Sequence, residues 1–322
     1  MRDTLPHAFP YLLMRETPPS ATASAPGSIG NVGPGLDVLG LALDGPRDEV
    51  NLRYRDDGSD RIVDAGHPDL PTDPAANTAS VAARAVLRHL GIGRGIDVSV
   101  RKGLPLAGGQ GGSAASAVAG AVAAASLAGV TLEPDQILAF ALDGEAVASG
   151  RQADNLAPSL LGGLILVRST DPVETIRLPL PPGLHVVLAH PDQRLETRVA
   201  RGILPDVISR ELAMRQAANL ATMVAGACLG DVVLFGLGID DLIAEPARAG
   251  LLPGFAAAKA AALDAGAAGC SISGAGPTAF AFAADRDAAE RIAAAMKAAY
   301  GAAGVVVRVS VTTPSTSGAR AW

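Results

Sequence analysis

The chain has 322 residues, of which 49% are hydrophobic and 18% charged, so it is long enough for two lobes built around a large core. A net charge of −6, with scattered lysines and arginines, argues against nucleic acid as a partner. Two cysteines, and no run of about eighteen strongly apolar residues, predict neither a disulfide framework nor a membrane span, and the expected compartment is the cytoplasm.

The first forty residues contain no predicted regular element. Residues 1–20 carry charges and no continuous apolar stretch, so they are predicted to form a flexible extension rather than a signal peptide. Residues 24–40 are rich in glycine and proline, which predicts rigid, irregular backbone around Asn31 and Asp37. Polar side chains in such segments usually shape the turn, but Asp37 borders a segment that is expected to be buried.

Strands and helices are predicted in the part that follows. Residues 50–54 and 96–100 alternate apolar and polar side chains, as half-buried strands do. Between them, 77–90 has helical periodicity and begins with an asparagine that can cap it. A second helix is predicted at 113–128, and the apolar run 160–167 contains a strand introduced by two glycines.

The second half of the chain follows a proline-rich linker at 179–183. It is predicted to begin with a strand at 184–189. Helices are predicted at 196–204, 209–229, 255–265 and 287–300, and a final strand at 305–312. Because strands do not alternate one-for-one with helices, and no repeat period occurs, a two-lobe α+β protein is favoured over a doubly wound sheet.

The strongest chemical signal is the segment 105–116, where four glycines and small hydroxyl residues lead directly into a predicted helix. Glycine lets the backbone approach an anion closely, and the first-turn N–H groups of a helix have no internal partners. Together with the helix dipole, these groups form an anion-binding site. The competing interpretation is a flexible turn capped by a serine.

Two known phosphate-binding motifs can be compared with this loop. A Walker loop needs a lysine after its last glycine, and none is present. Residues 109–114 do match the G-x-G-x-x-A dinucleotide fingerprint, with Glu133 and Asp135 about twenty residues further on. Because Pro105 interrupts the entry from the preceding strand, a dinucleotide-dependent oxidoreductase is the weaker alternative.

Two further segments carry polar residues of interest. Glu145 is predicted near the end of a helix, and Asp154 and Asn155 follow roughly ten residues later. They offer hard oxygen ligands to Mg²⁺, which needs only one or two protein ligands when phosphates supply the rest; a solvated glutamate is the ordinary alternative. Residues 269–282 read as a glycine turn feeding an alternating strand, a pattern typical of a tight hairpin.

The order and spacing of these segments resemble the GHMP kinases, the superfamily of galactokinase, homoserine kinase, mevalonate kinase and phosphomevalonate kinase. Its three motifs correspond to the segment around Asn31, to 108–116 and to 274–278. Within the superfamily the resemblance to the homoserine kinase branch is specific, and it extends from about residue 21 to the C-terminus. Segments of that branch are similar to 31–40, 153–163, 243–255 and 317–320.

The resemblance implies an α+β, two-lobe GHMP kinase fold. An N-terminal ATP-binding domain at 21–178 would be like the second domain of ribosomal protein S5, and a C-terminal domain at 184–322 would be ferredoxin-like. ATP would lie along the glycine loop, with Mg²⁺ held by Ser113 and Glu145. The residues implied at the nucleotide are Asn77, Pro105, Gly108, Gly109, Gly111, Gly112, Ser113, Ala114, Ser116, Gly274 and Gly276.

The reaction implied by the resemblance passes the γ-phosphoryl group of ATP to the hydroxyl of L-homoserine, giving O-phospho-L-homoserine for threonine biosynthesis. Asn31, Asp154 and Asn155 would lie at the reacting centre, Asn155 in a positioning role, with no proton acceptor assigned. Arginine forks suit a carboxylate and aspartate suits an ammonium group, although both arginines would otherwise read as surface ion-pair residues. The substrate residues implied are Asp37, Gln152, Arg201 and Arg248.

The chain departs from the family pattern at three positions. Gly112 replaces the first serine of the usual Gly-Leu-Gly-Ser-Ser loop, and Gln110 replaces its apolar residue. Gln152 replaces a histidine of the middle motif, and glutamine can neither titrate nor carry charge. These departures leave two alternatives open: a GHMP kinase with another small substrate, or a weakly active or inactive sensor of ATP or an amino acid. The resemblance gives a homodimer as the expected assembly.

Overall fold

The computed structural model describes residues 19–322. The extension predicted at 1–20 lies outside the described residues except for its last two, of which Ser20 begins the first strand. Two β-sheets with helices packed on them organise the described residues into two lobes, which confirms the predicted α+β class. None of the helices within residues 19–322 is long and apolar enough to span a bilayer.

The first lobe is built on a seven-stranded sheet. Its elements in chain order are β1 (Ser20–Ile29), β2 (Leu39–Arg55), β3 (Arg61–Asp64), α1 (Thr78–His89), β4 (Gly95–Arg101), α2 (Gly112–Leu127), α3 (Pro134–Ala146), α4 (Leu156–Leu161), β5 (Leu164–Thr170) and β6 (Val173–Leu178). The last strand of the chain, β11 (Arg320–Ala321), returns to this sheet and pairs with β1. The strand order is β11-β1-β2-β4-β3, and β5 and β6 extend the sheet from the start of β2.

The second lobe is built on a four-stranded antiparallel sheet. Its elements are β7 (His185–Pro191), α5 (Thr197–Gly202), α6 (Arg210–Leu229), α7 (Val232–Leu237), α8 (Ala244–Ala249), α9 (Phe255–Asp264), β8 (Gly269–Ile272), β9 (Ala279–Ala283), α10 (Arg286–Ala302) and β10 (Val307–Thr312). The sheet order β10-β7-β9-β8 places the fourth strand of the lobe beside the first and the third beside the second, which is the ferredoxin-like arrangement expected from the sequence.

Helix α2 is the central helix of the first lobe and sets the position of the glycine loop. Half of its residues are alanine, and the helix is buried on every side, as expected for a helix that is apolar all round. Small side chains let it lie close to α1: a Cβ at Gly120 would come within 2.3 Å of the Ala79 carbonyl oxygen. The start of α2, at the cleft between the lobes, is therefore held by the core behind it.

Strand β9 joins the two lobes through one shared core. Its alanines, such as Ala281, face the cluster beneath α9 and α10, whereas Phe280 and Phe282 face a cluster that includes Ile29, Leu39 and Leu41 of the first lobe. The alternating pattern of this strand therefore indicates two buried faces rather than one buried and one solvated face. Burying each phenylalanine contributes about 1.5–3 kcal/mol, so the lobes are held together by an apolar core.

Some predicted elements differ from the structure. Residues 24–29 were expected to be irregular but belong to β1, whose register shifts between Pro26 and Ser28, where the missing proline N–H is tolerated. Residues 160–161 end α4 rather than lying in the strand that follows. The short elements β3, β6, α7, α8 and β11 were not predicted. Residues 313–322 lie along the first sheet, and the predicted domain limits at 178 and 184 stay a prediction.

Candidate active site

A cleft of about 480 Å³ lies between the two lobes and contains most of the predicted site. The first lobe contributes the glycine loop, the starts of α1 and α2, and the segment between α3 and α4. The second lobe contributes α5, α8 and the β8–β9 turn. The predicted site residues that line the cleft are Asn31, Asn77, Pro105, Gly108, Gly109, Gly111, Gly112, Ser113, Ser116, Glu145, Gln152, Asp154, Asn155, Arg201, Arg248 and Gly274.

Three predicted site residues do not line the cleft. Asp37 forms a two-pronged ion pair with Arg201, at 2.7 and 3.0 Å, and so contacts the cleft through a residue that lines it. The side chain of Ala114 is fully buried in α2, which leaves only its backbone for ligand binding. Gly276 lies in the β8–β9 turn, where its carbonyl oxygen would be 2.7 Å from a Cβ placed on Gly109.

The glycine loop presents free N–H groups at the start of α2. Ala107, Gly109 and Gly111 all have positive φ, and no side chain within residues 19–322 caps the helix. Two hydroxyl groups of the second lobe form hydrogen bonds with carbonyl oxygens of the loop. Ser273 Oγ donates to Gly109 O at 2.6 Å, and Thr278 Oγ1 donates to Gly108 O at 2.5 Å. Uncapped N–H groups and the positive end of the helix dipole make this loop an anion-binding site.

A buried ion pair beneath the loop was missed from the sequence. Lys102 Nζ contacts the Asp48 carboxylate and donates to Gly112 O at 2.8 Å and to Ser116 Oγ at 3.0 Å. Asp48, fully buried, also accepts from the N–H groups of Gly103 and Leu104. It therefore ties the start of the loop to its end. The sequence does contain a signal for this pair. Asp48 lies on the same face of β2 as the buried Val50 and Leu52, and a charged residue on a buried face needs a partner.

The first acidic group of the cleft is Glu145, at the end of α3. Its Oε1 accepts a hydrogen bond from Ser113 Oγ at 2.8 Å and another from Ser149 Oγ. Its Oε2 is buried and has no protein partner among residues 19–322. Burial raises the pKa of this carboxyl, against the opposing effect of the two hydroxyls. A cation bound at Oε2 would satisfy the one unpaired atom of this group.

The second acidic group is Asp154, which is 2% exposed. Its Oδ2 accepts from the Asn31 N–H at 2.9 Å, and Asn31 Oδ1 accepts from the Asp37 N–H at 2.7 Å. Burial, and then the charge of Asp37, raise the pKa of Asp154 to about 7. Asn31 and Asp37 both have positive φ, at 53° and 60°, a conformation that Asn and Asp adopt more readily than other non-glycine residues and that also recurs at functional sites.

Asn155 lies between the two loops that carry the predicted nucleotide and substrate residues. Ser28 Oγ donates to its Oδ1 at 2.9 Å. A Cβ on Gly30 would come within 2.3 Å of Asn155 Nδ2, and one on Gly111 within 2.8 Å of Asn155 Oδ1. Both glycines are therefore required by the close approach of the Asn155 amide, which fixes the glycine loop relative to the Asn31 segment.

Two arginines from the second lobe face the acidic end of the cleft. Arg248, 2% exposed, donates through Nε to Ala200 O at 3.1 Å and through Nη1 to Gly274 O at 2.9 Å. The neighbouring Arg201 pairs with Asp37, and this ion pair raises the pKa of the guanidinium. A surface ion-pair role is wrong for Arg248 because it is buried at the cleft wall with backbone carbonyls as its partners.

The dinucleotide-binding alternative is wrong. Strand β4 ends at Arg101, and a segment of ten residues separates it from the first residue of α2, so no strand enters the turn directly. β4 pairs in parallel only with β3, which precedes it, whereas β5, the strand that follows α2, pairs with β2 and β6 and not with β4, so β4, the glycine loop and α2 do not form the βαβ unit of the fingerprint. Residues 109–114 match the dinucleotide fingerprint because other phosphate-binding loops also need closely spaced glycines.

Comparison with known proteins identifies the relatives of this architecture. Residues 77–163 match the family described as GHMP kinases N terminal domain, and 214–302 match GHMP kinases C terminal. A homoserine kinase of Chlorobium phaeobacteroides is 40% identical over 294 residues, covering 87% of this chain and 92% of the relative. A homoserine kinase of Xylella fastidiosa is 43% identical over 304 residues, covering 93% of each. The crystal structure of homoserine kinase from Cytophaga hutchinsonii superposes with a TM-score of 0.90 at 42% identity, over 97% of this chain and 100% of that one.

Proposed function

Because the chain belongs to the GHMP kinases, within the homoserine kinase family, we propose that it transfers the γ-phosphoryl group of ATP to the hydroxyl of L-homoserine. The product is O-phospho-L-homoserine, an intermediate on the way to threonine. The observation that carries the proposal is the composition of one cleft. An anion-binding loop lies at one end, and Asp154 and two arginines, one of them paired with Asp37, lie at the other.

The glycine loop holds the phosphates of ATP in this proposal. Its free N–H groups neutralise negative charge without a lysine of the Walker type, and the second lobe fixes its carbonyl oxygens. Asn77 caps α1 by accepting from the N–H groups of Ala79 and Ser80, so its amide is held at the wall of the cleft near the expected adenine position. Positioning and charge neutralisation account for most of the catalysis in phosphoryl transfer.

Ser113 and Glu145 fit a magnesium ion. A buried carboxylate oxygen without a protein partner, beside a serine hydroxyl, supplies two hard oxygen ligands of the kind Mg²⁺ prefers. No group of three or more His, Cys, Asp or Glu among residues 19–322 forms a complete protein cage. The two residues are therefore sufficient only when ATP phosphates and water complete the shell. When bound, the ion neutralises charge on the phosphates.

The other end of the cleft recognises the amino acid. Arg248 and Arg201 offer planar donors for the carboxylate of homoserine, and Asp37 offers a charge for its ammonium group. Asp37 and Arg201 form an ion pair with each other, and a zwitterionic amino acid offers one partner for each of these two charges. Gln152 lines the cleft here and offers hydrogen bonds without charge.

Asp154 is the group best suited to accept the hydroxyl proton. A general base works best with a pKa close to the working pH, and burial raises the pKa of Asp154 to about 7. Its Oδ2 is held by the Asn31 N–H, so the carboxylate is fixed in orientation at the cleft wall. Asn155 next to it, held by Ser28, orients the loop on which the phosphates lie.

The reaction can be followed directly by ³¹P NMR. With ATP, Mg²⁺ and L-homoserine, we expect a phosphomonoester signal to grow as the γ-phosphate signal of ATP falls. Release of inorganic phosphate alone would indicate ATP hydrolysis without transfer. An unchanged spectrum, with ATP binding retained, would contradict the proposed activity and favour a sensor of ATP or an amino acid.

A further inference from the structure

A buried polar pair lies outside the cleft, behind its amino-acid end. Gln216 on α6 and Asp241 before α8 are both almost fully buried, at 8% and 7% exposure. Gln216 Nε2 donates to Pro34 O at 3.2 Å and to Asp241 Oδ1 at 2.9 Å. Gln216 Oε1 accepts from the Leu242 N–H at 2.8 Å. Both ends of the amide are therefore hydrogen-bonded, and neither residue lines the cleft.

On one side, the pair holds the short helix that carries Arg248. Asp241 Oδ1 accepts from the N–H groups of Ile243 and Ala244, at 2.9 and 3.0 Å, and Oδ2 accepts from Glu245 N at 2.9 Å. These bonds fix the first turn of α8, and Arg248 follows in its last turn. Burial lowers the pKa of the Arg248 guanidinium, and the charge of Asp241 opposes this shift.

On the other side, the pair holds the segment that carries Asn31 and Asp37. Gln216 donates to Pro34 O in the middle of this segment. A Cβ on Gly33 would lie 2.4 Å from Ile239 O, so the segment packs directly on the residues before Asp241. Left-handed backbone at non-glycine residues persists only where surrounding contacts fix it. The Gln216 amide is such a contact for the segment 31–37.

We infer that Gln216 is a positioning residue for the amino-acid substrate. Asp37 faces the ammonium group of the substrate and Arg248 faces its carboxylate. The Gln216 amide sets the separation between these two residues because it is hydrogen-bonded both to the segment that contains Asp37 and to the residues at the start of α8, which contains Arg248. The inference rests on the proposed function. A fixed separation between these two charges selects the distance between the carboxylate and ammonium of an α-amino acid, so Gln216 acts on substrate binding and not on the phosphate end of the cleft.

The test is Gln216→Met, which keeps the length of the side chain and removes every hydrogen bond. We expect the KM for L-homoserine to rise at least tenfold, the KM for ATP to stay within twofold, and kcat to stay within about threefold. The matched control is Asn219→Leu. Asn219 lies one turn further along α6, is half-buried, and donates to Asp240 O at 2.8 Å, but among residues 19–322 its side chain makes no hydrogen bond to the segment 31–37. We expect this control to leave both KM values unchanged.

An equal rise of the KM values for ATP and for L-homoserine would overturn the inference, and so would a KM for L-homoserine within twofold of wild type. If Gln216→Met does not fold, Asp241→Asn carries the same expectation, because it keeps the oxygen that faces Gln216 and loses an acceptor for α8. The wild-type protein separates the two levels of the proposal. No transfer to L-homoserine by wild type contradicts the proposed function, whereas an active wild type with an unaffected variant contradicts only the positioning role.

Discussion

Asp154 is the residue whose charge state we expect to determine activity. Only its ionised form can accept the hydroxyl proton, so kcat/KM for L-homoserine should rise with pH through an apparent pKa near 7. Asp154→Asn should lower kcat by about 10²–10⁴-fold and abolish this acidic limb. The measurement is the pH dependence of kcat/KM for the wild-type protein and for Asp154→Asn. A variant that keeps both the wild-type rate and the fall in rate at acidic pH would show that Asp154 is not the proton acceptor.

The same residue links stability to pH. The folded-state pKa of Asp154 is about 7 against an ordinary 3.8, so the folded protein holds this proton more tightly than the unfolded chain does. The contribution of the protonated group to stability is therefore full below pH 3.8 and is lost as pH rises through about 7. Ionisation of the buried carboxyl lowers the free energy of unfolding by up to roughly 4 kcal/mol. Asp154→Asn removes that cost. Its melting temperature, relative to wild type without ligands, should therefore rise between pH 5 and pH 8, and a constant difference would contradict the buried, titrating carboxylate.

Glu145 should matter for the metal rather than for the fold. Glu145→Gln keeps the shape and can still accept from Ser113 and Ser149, but it removes the charge that the cation needs. Electron paramagnetic resonance of Mn²⁺ with ADP should show at least tenfold weaker metal binding, with the melting temperature retained. Asp143→Asn is the matched control, since Asp143 lies on the same helix and pairs with Arg151 at the surface. Unchanged Mn²⁺ binding in the Glu145 variant would remove it from the metal site.

Two adjacent glycines of the loop should differ sharply in tolerance. At Gly112 the nearest atom to an added Cβ is 3.4 Å away, so Gly112→Ser should fold and stay within about threefold of wild-type kcat. At Gly111, φ is +67° and a Cβ would lie 2.4 Å from Ser28 Oγ. Gly111→Ala should therefore cost about 1–3 kcal/mol of stability and most of the activity. Melting temperatures and ADP-release rates check this, and equal behaviour of both variants would contradict the loop geometry.

At the scale of elements, the buried Lys102–Asp48 pair holds the loop between β4 and α2. Lys102→Met leaves the Asp48 charge buried without its cation, so it should destabilise the protein by about 3–5 kcal/mol and raise the KM for ATP. Ser116→Ala, which removes the hydrogen bonds of the hydroxyl with Asp48 and Lys102 but keeps the ion pair, should cost less, about 1.5–3 kcal/mol. Chemical denaturation gives both values. A Lys102→Met protein as stable as Ser116→Ala would show that the pair does not hold the loop.

Long, strongly periodic elements were predictable from the sequence, and short or unusual ones were not. The helix at 77–90 and the strand at 96–100 match α1 and β4 closely because their apolar periods reflect one buried face. Strand β1 was not predicted, since Pro26, Gly27 and Gly30 argue against a strand unless a register shift and close contact with Asn155 are known. Helices α7 and α8 have six residues each, too few for a period to show.

At the scale of the whole molecule, the sequence predicted which residues meet but not how they are joined. Motif order pointed to Asn31, the glycine loop and Glu145, and the structure places all three on one cleft. The contacts that hold them come from distant parts of the chain: Asp48 to Ser116, Gln216 to Pro34, and Thr278 to Gly108. Such pairings leave no local pattern in a single sequence, so only the folded chain reveals them.

The two lobes act as one unit because the phosphate end and the amino-acid end of the cleft each need both of them. The glycine loop of the first lobe is held by Ser273 and Thr278 of the second, and Asp37 of the first lobe pairs with Arg201 of the second. A shared apolar core beneath β9 contains buried residues of both lobes and joins them. The predicted homodimer and cytoplasmic location stay predictions.

Acceptor specificity is the most direct test of the proposed activity. It is measured as kcat/KM in a coupled ADP-release assay that contains ATP and Mg²⁺ and compares L-homoserine, L-serine, L-threonine and mevalonate as acceptors. Asp37, Arg201 and Arg248 predict that mevalonate, which has no ammonium group, is a poor acceptor, and membership of the homoserine kinase family predicts that L-homoserine exceeds L-serine and L-threonine as well, by at least a hundredfold, with Gln152 and Gly112 as tolerated variation. Equal turnover of mevalonate, or preference for another acceptor, would contradict the assignment of the cleft to this amino acid.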